Sequence, residues 1–183
     1  MDHFITPLTD ACLPETRQIL LDAAAVDGFI STRSREQFCY AYFGYYREAA
    51  PELFLVAFGK PPLPEKVLGY VCAVADTRNH PELYRLAPHI PLFDDLYDRF
   101  PAHFHIIIDA SVRGRGVGTS LLGELEMRLR KSCGTSGLHL VTGEGSRCVN
   151  FYRKNGFTFE AARDDEAGSE PRLLFMGRQL REP

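Results

Sequence analysis

Residues 106–118 read Ile106-Ile107-Ile108-Asp109-Ala110-Ser111-Val112-Arg113-Gly114-Arg115-Gly116-Val117-Gly118. The apolar, β-branched run from His103 to Asp109 predicts a strand. Beyond the glycines, Thr119 to Lys131 places Leu121, Leu122, Leu125 and Leu129 on one stripe, with Glu124, Glu126, Arg128 and Arg130 outside it. That pattern is an amphipathic helix. Glycines between a strand and a helix permit φ > 0 and close backbone approach, so successive N–H groups face one concavity where the helix dipole is positive. The turn therefore reads as an anion site, to which Arg113 and Arg115 add permanent charge and forked donors suited to phosphate oxygens. The plainer reading is a tight strand-to-helix connection.

Working outward, Phe4 to Thr6 predicts a short strand ended by Pro7, and Leu13 to Val26 a helix. Arg35 to Ala49 predicts a second helix, on which Phe38, Tyr42, Tyr45 and Tyr46 share a face. That face is either core packing or a wall for an acceptor substrate. Leu53 to Phe58 and Val67 to Ala75, around the break Gly59-Lys60-Pro61-Pro62-Leu63-Pro64, predict a hairpin. Thr77 to Arg99 is polar and proline-punctuated, with a short helix near Leu92 to Arg99 whose Asp94, Asp95 and Asp98 read as a solvated face. Leu138 to Thr142 predicts a strand and Arg147 to Asn155 a short helix closed by Gly156. Phe157 to Ala161 and Arg172 to Gln179 predict two last strands joined by Asp164-Asp165-Glu166-Ala167-Gly168. The alternation describes one mixed α/β sheet covered by helices, a single domain over residues 1–183.

The 183 residues are 45% hydrophobic and 25% charged, which excludes collagen, a disordered tail and a membrane protein. A chain of this size buries about 70% of its unfolded surface and needs no staples. Lys and Arg number 21 against 24 Asp and Glu, a net charge of −3, so no basic blanket exists for a polynucleotide. Cys12, Cys39, Cys72, Cys133 and Cys148 are odd in number, widely spaced and without a C-x-x-C pair, as expected of reduced thiols. The N-terminal Met1-Asp2-His3-Phe4 lacks a basic and apolar leader, and no apolar run reaches membrane-spanning length, so the expected address is the cytoplasm.

The glycine spacing is G-x-G-x-G: the dinucleotide fingerprint fails because position 119 is Thr, and the Walker pattern G-x-x-x-x-G-K-[ST] is absent. A hydrolase elbow, G-x-S-x-G, is absent too. What the residues do match is Arg113-x-x-Gly116-x-Gly118 after one strand, with Asn150-Phe151-Tyr152-Arg153-Lys154-Asn155-Gly156-Phe157 after the next. The two motifs together resemble the GNAT superfamily of acyl-CoA-dependent N-acetyltransferases. Pro101-Ala102-His103-Phe104-His105-Ile106, Leu68-Gly69-Tyr70-Val71, Asp76-Thr77-Arg78 and Pro51-Glu52-Leu53 are similar to the subgroup related to the acetyltransferase-like C-terminal domain of O-GlcNAcase enzymes. The resemblance runs from about residue 4 to residue 179.

The resemblance implies a GNAT fold, a mixed and mostly antiparallel sheet of about seven strands flanked by helices. It implies that the amides of Gly114, Arg115, Gly116, Val117, Gly118 and Thr119 grip the coenzyme A pyrophosphate beside Arg113. Main-chain groups of Ile108, Asp109 and Ala110 would pair with the pantetheine like an added strand. Asn150 belongs to the same cofactor-binding set. Tyr152 would lie beside the thioester sulfur, where a phenol of pKa about 10 can protonate a departing thiolate of pKa about 8.5. The implied reaction is acetyl transfer from acetyl-CoA to a primary amine of a small molecule or protein, by direct attack through a tetrahedral intermediate, with no metal. The expected chain is a monomer or homodimer that engages neither nucleic acid nor membrane. Two departures stand out. Gly145 occupies the place where many relatives carry an asparagine seven residues before the tyrosine, and Ile107 the place where the subgroup carries a carboxylate. The second of these motivates a rival reading, a non-catalytic acyl-CoA-binding or protein-interaction module of the same fold.

His103 and His105 alternate onto one face of their strand. They read as a neutral hydrogen-bonded pair, as a general base or substrate contact, or as two metal ligands. Asp109, at the strand end, reads as a turn residue. The Asp164-Asp165-Glu166 loop lies on the acceptor side of GNAT folds and reads either as solvated or as a lure for a cationic amine.

Overall fold

A computed structural model describes residues 2–24, 31–60, 66–164 and 172–180. Its strands are β1 (His3–Pro7), β2 (Leu55–Gly59), β3 (Val67–Val74), β4 (Ala102–Ile108), β5 (Gly137–Gly143), β6 (Phe159–Arg163) and β7 (Leu173–Gln179). Its α-helices are α1 (Leu13–Ala23), α2 (Thr32–Cys39), α3 (Tyr45–Ala49), α4 (Pro81–Leu86), α5 (Val117–Arg128) and α6 (Val149–Lys154). The strands hydrogen-bond in the order β1-β2-β3-β4-β5-β7-β6, with β4 and β5 parallel and the β1–β2, β2–β3, β5–β7 and β6–β7 pairs antiparallel. The expected fold class, a mixed sheet of seven strands with helices, is the one observed. Among the described residues no helix is long and apolar enough to cross a membrane.

Contacts cluster into two compact units, Met1–Ala73 with His105–Arg128, and Val74–Phe104 with Leu129–Pro183. In the first unit every residue of β3 from Val67 to Ala73 is buried, which is why this strand reads as a continuous apolar run and not as an alternation. Phe43 packs edge-on against Phe54 and Tyr70, with ring centroids 4.8 and 5.6 Å away. Fully burying each such ring is worth roughly 1.5–3 kcal/mol. In the second unit Phe100 is the central ring: β-carbons on Gly137 and Gly177 would stand 3.0 and 2.8 Å from its atoms. Tyr97, Phe93, Ile90 and Phe175 complete that core.

The predicted aromatic helix is in fact three pieces. Between α2 and α3 the backbone opens into a π-turn, Tyr40–Gly44, in which the Tyr45 N–H donates to the carbonyl of Tyr40. An i→i+5 turn inserts one residue and rotates everything after it, so Phe43, off the predicted stripe, is buried at 4% exposure while Tyr42 and Phe38 are half-buried. The carbonyl of Tyr42 accepts from the Tyr70 hydroxyl at 3.4 Å and from Cys72 Sγ at 3.7 Å. The predicted helix over Thr119–Lys131 starts two residues earlier and ends in a second π-turn, Leu129–Cys133. Near Leu92–Arg99 the backbone is a 3₁₀ turn, Pro91–Leu96. Helix α4, opened by Pro81, was hidden by its polar composition.

The three aspartates of that segment are tied down. Asp98 and Asp94 pair with Arg78, and Asp95 with Arg163 at 2.8 Å. Asp164 pairs with Arg172 at 2.8 Å, whereas Asp165, Glu166, Ala167 and Gly168 lie outside the described residues, as do most of the break at 59–64 and the expected end of the first helix. All five cysteines are free thiols.

Candidate functional site

Strand β4 ends where Asp109 turns the chain. The Asp109 N–H still donates to the carbonyl of Leu68 on β3, at 3.0 Å. Its carboxylate accepts from the Ser111 N–H at 2.8 Å, from the Ser111 hydroxyl at 2.7 Å and from Lys66 Nζ at 3.1 Å. The Ser111 hydroxyl first, and then its amide and Lys66, hold the Asp109 carboxyl below the usual carboxylate range against the opposing effect of burial. Asp109 is thus the cap of the 3₁₀ turn Ala110–Val112, the turn role its position predicted.

Beyond that cap, Arg113 Nε donates back to the Ile108 carbonyl at 3.2 Å. Gly114 and Gly116 follow at φ +74° and +87°, a region that strains any side-chain-bearing residue. A β-carbon on either would meet nothing within 4 Å, so the space beside both glycines is open. The Ser120 N–H makes the first helical hydrogen bond, to Gly116, at 3.0 Å. The amides of Val117, Gly118 and Thr119 therefore have no acceptor inside α5. Arg113 and Arg115 are exposed at the same turn. Left-handed glycines, three amides without a helical acceptor at the start of a twelve-residue helix and two arginines make a donor set whose charge suits an anion.

His105 lies in the same unit, half-buried, with the rings of Tyr42 and Tyr46 at 4.6 and 5.2 Å. Burial raises the Tyr42 and Tyr46 hydroxyls above the ordinary tyrosine range, so both stay protonated. His103 is placed differently despite sharing a strand face. It is 1% exposed and stacks on His139, with ring centroids 5.1 Å apart, while His89 stands edge-on at 6.5 Å. His139 Nδ1 donates to the Phe100 carbonyl at 2.6 Å, and its ring lies between Tyr97 and Phe175. Burial pushes His139 down to about 3 and His89 to about 4. Among the described residues no group of three His, Cys, Asp or Glu is arranged to hold a metal ion.

Tyr152, on α6 in the second unit, packs its ring against Phe157 at 5.6 Å and Phe104 at 6.1 Å. Its backbone carbonyl accepts from Asn155 and Phe157 in the turn that ends the helix. Burial raises the phenol well above its ordinary range, with Cys148 adding a smaller push. No described residue hydrogen-bonds this hydroxyl, although the hydroxyls of Tyr70, Tyr84 and Tyr97 all have protein acceptors. Asn150 is exposed two residues earlier, and Gly145 stands in open space. The π-turn beside His105 carried no sequence signal, because nothing local distinguishes a five-residue turn from a four-residue one.

A seven-stranded mixed sheet carrying this strand, glycine turn and helix is an architecture that acetyltransferase domains share. The acetyltransferase (GNAT) domain family matches residues 50–159, more than half of the chain, and the chain belongs to that family. Solved structures share its fold. That of SsHAT superposes with a TM-score of 0.76 at 21% identity over 100% of both chains. A ribosomal-protein-alanine N-acetyltransferase from Brucella melitensis does so at 0.62 and 21%, over 97% of this chain and 99% of that one. An aminoglycoside 6'-N-acetyltransferase, solved in complex with coenzyme A, does so at 0.66 and 12%, over 98% of each.

Proposed function

We propose that this domain is an acetyl-CoA-dependent N-acetyltransferase acting on a primary amine of a small molecule or protein. The observation that carries the reading is the glycine turn: positive φ at Gly114 and Gly116, open space beside both, and amides without a helical acceptor at the start of α5. These residues fit a pyrophosphate, and the structural neighbour that holds coenzyme A shares the fold. When bound, the coenzyme supplies the activated acetyl thioester. Gly114 and Gly116 to Thr119 would hold phosphate oxygens through main-chain N–H groups, while the Arg115 N–H is spent on the Val112 carbonyl at 3.3 Å and its side chain, with Arg113, stands alongside. Three main-chain groups of the strand end, the Asp109 N–H, the Asp109 carbonyl and the Ile108 carbonyl, are engaged by Leu68, Val112 and Arg113, so the pantetheine would pair with what remains of Ile108 to Ala110.

Tyr152 donates its proton to the departing thiolate. Its raised pKa keeps it protonated throughout the neutral range, and its ring is clamped by Phe104 and Phe157. Of the two strand histidines, His105 is the base we assign to the incoming amine, because it is half-buried beside Tyr42 and Tyr46 whereas His103 is sealed in an imidazole stack. Within the superfamily we place the chain in the subgroup similar to the C-terminal domain of O-GlcNAcase enzymes, on the Pro101-Ala102-His103-Phe104-His105-Ile106 run. We further assign it to the cytoplasm as a monomer or homodimer.

The decisive experiment is a screen of primary amines with acetyl-CoA and thiol detection. Thiol release above background with at least one acceptor supports the enzyme. Saturable acetyl-CoA binding with no turnover across a broad panel favours a non-catalytic module, the outcome that Ile107 in place of the subgroup carboxylate would then explain.

A further inference from the structure

Strand β5 ends at Thr142 and Gly143, and helix α6 begins behind Cys148. Cys148 already has helical backbone, φ −78° and ψ −15°, and its carbonyl accepts from the Tyr152 N–H at 3.1 Å. Residues four apart share a helix face, and a helical side chain leans toward the N-terminus, so Tyr152 leans over Cys148. The Cys148 sulfur stands 3.4 Å from the Thr142 hydroxyl, which ties it to the end of β5. It is close enough to the phenol for its charge to add to the push of burial on Tyr152.

Tyr152 is 8% exposed, and its hydroxyl has no hydrogen-bond partner among the described residues. A polar group buried that far costs free energy until something meets it. Beside it is a half-buried thiol. Cys12, Cys39 and Cys72 are buried, and Cys133 is exposed at the end of the π-turn that follows α5. Of the two cysteines that a reagent can reach, Cys148 is the one that shares a helix face with the unmet hydroxyl.

We infer that Cys148 is a redox-modification site, which captures coenzyme A as a mixed disulfide and so arrests the enzyme when the coenzyme itself is oxidised. The inference rests on the proposed function, in which Tyr152 marks the place of the coenzyme's sulfur. The oxidant is the disulfide dimer of coenzyme A. The Cys148 thiolate attacks one sulfur of the dimer, an S–S bond forms between Cys148 and that half, and the S–S bond of the dimer breaks. The other half departs as a thiolate and takes a proton from solvent, which gained one when Cys148 ionised. Cys148 is oxidised and the departing coenzyme reduced. The Thr142 and Tyr152 hydroxyls each have a proton to donate toward a sulfur that carries charge in this exchange.

The reduced full chain, treated with coenzyme A disulfide or with glutathione disulfide at the same concentration, is resolved by intact mass and by peptide mapping without reductant. One coenzyme A adduct is expected, on Cys148 and not on Cys133, reversed by dithiothreitol. Because binding raises the effective concentration, it is expected to form at least about tenfold faster than the glutathione adduct, and about tenfold or more slower in Gly116→Val. Cys148→Ser should abolish it; should that variant fail to fold, mapping of the unaltered chain answers the same question. Modification of Cys133 alone, equal modification of both cysteines, or equal rates with the two disulfides would each overturn the assignment. Calorimetry with acetyl-CoA on the reduced chain separates the two failures. Binding without a Cys148 adduct overturns this inference and leaves the coenzyme reading standing, whereas no binding overturns both.

Discussion

A β-carbon on Gly69 would stand 2.6 Å from the carbonyl oxygen of Ile107 and 2.7 Å from Cδ1 of Ile108. Strand β3 and the end of β4 approach this closely just where the Asp109 N–H meets the Leu68 carbonyl. The glycine at 69 is therefore a packing requirement that sets where the strand end, and with it the glycine turn, can lie.

Gly69→Ala puts that β-carbon against backbone, which cannot rotate away. We expect a loss of roughly 1–3 kcal/mol, read as a lower urea midpoint with an unchanged slope. An unaltered midpoint would show that β3 and β4 separate at little cost.

Gly116→Val meets no protein atom, so its cost to folding is the left-handed backbone alone, about 1–2 kcal/mol. The branched side chain occupies the open space beside the turn, and affinity for acetyl-CoA is expected to fall by about an order of magnitude or more. Calorimetry on the folded variant decides it: full affinity there would remove the glycine turn from the cofactor site.

Tyr152→Phe keeps the ring contacts with Phe104 and Phe157 and deletes a hydroxyl that no described residue uses. Stability and cofactor binding should change little, while kcat and kcat/KM drop together by about 100-fold. That is the low end for a lost proton donor, because a raised phenol pKa makes a weaker acid and a thiolate leaves readily. Near-normal turnover, measured where chemistry limits the rate, would make Tyr152 a packing residue.

Acid should unfold the second unit early. His139 and His89 are pushed down by burial to about 3 and about 4, and Nε2 of each is buried without a hydrogen-bond partner among the described residues. The unfolded chain takes up these protons as pH falls below about 6.5, and the folded chain does not until far lower. Stability is therefore complete above about pH 6.5 and declines as pH falls toward 4, by on the order of 2 kcal/mol per histidine. Urea unfolding at intervals from pH 7.5 to 4.5 should show this slope, reduced in His139→Gln. A flat profile would mean that the imidazoles titrate normally.

The strand, glycine turn and amphipathic helix were legible in the sequence because each signal acts over a few residues. β-Branching favours the strand, a 3.6-residue period marks α5, and glycine alone tolerates the positive φ that Gly114 and Gly116 adopt. Asp109 as a turn residue was legible for the same reason, since its cap reaches only to Ser111. What tertiary structure decided depends on neighbours distant in the chain. The π-turn at Tyr40–Gly44 places Phe43 against Phe54 and Tyr70, and no local propensity marks it. His103 and His105 look equivalent by alternation, yet His139, 36 positions further on, seals one while Tyr42 and Tyr46 flank the other. The insertion of β7 between β5 and β6 is of the same kind. Such contacts are fixed by the free energy of closing long loops onto a shared core, which is a property of the whole chain and of no single segment.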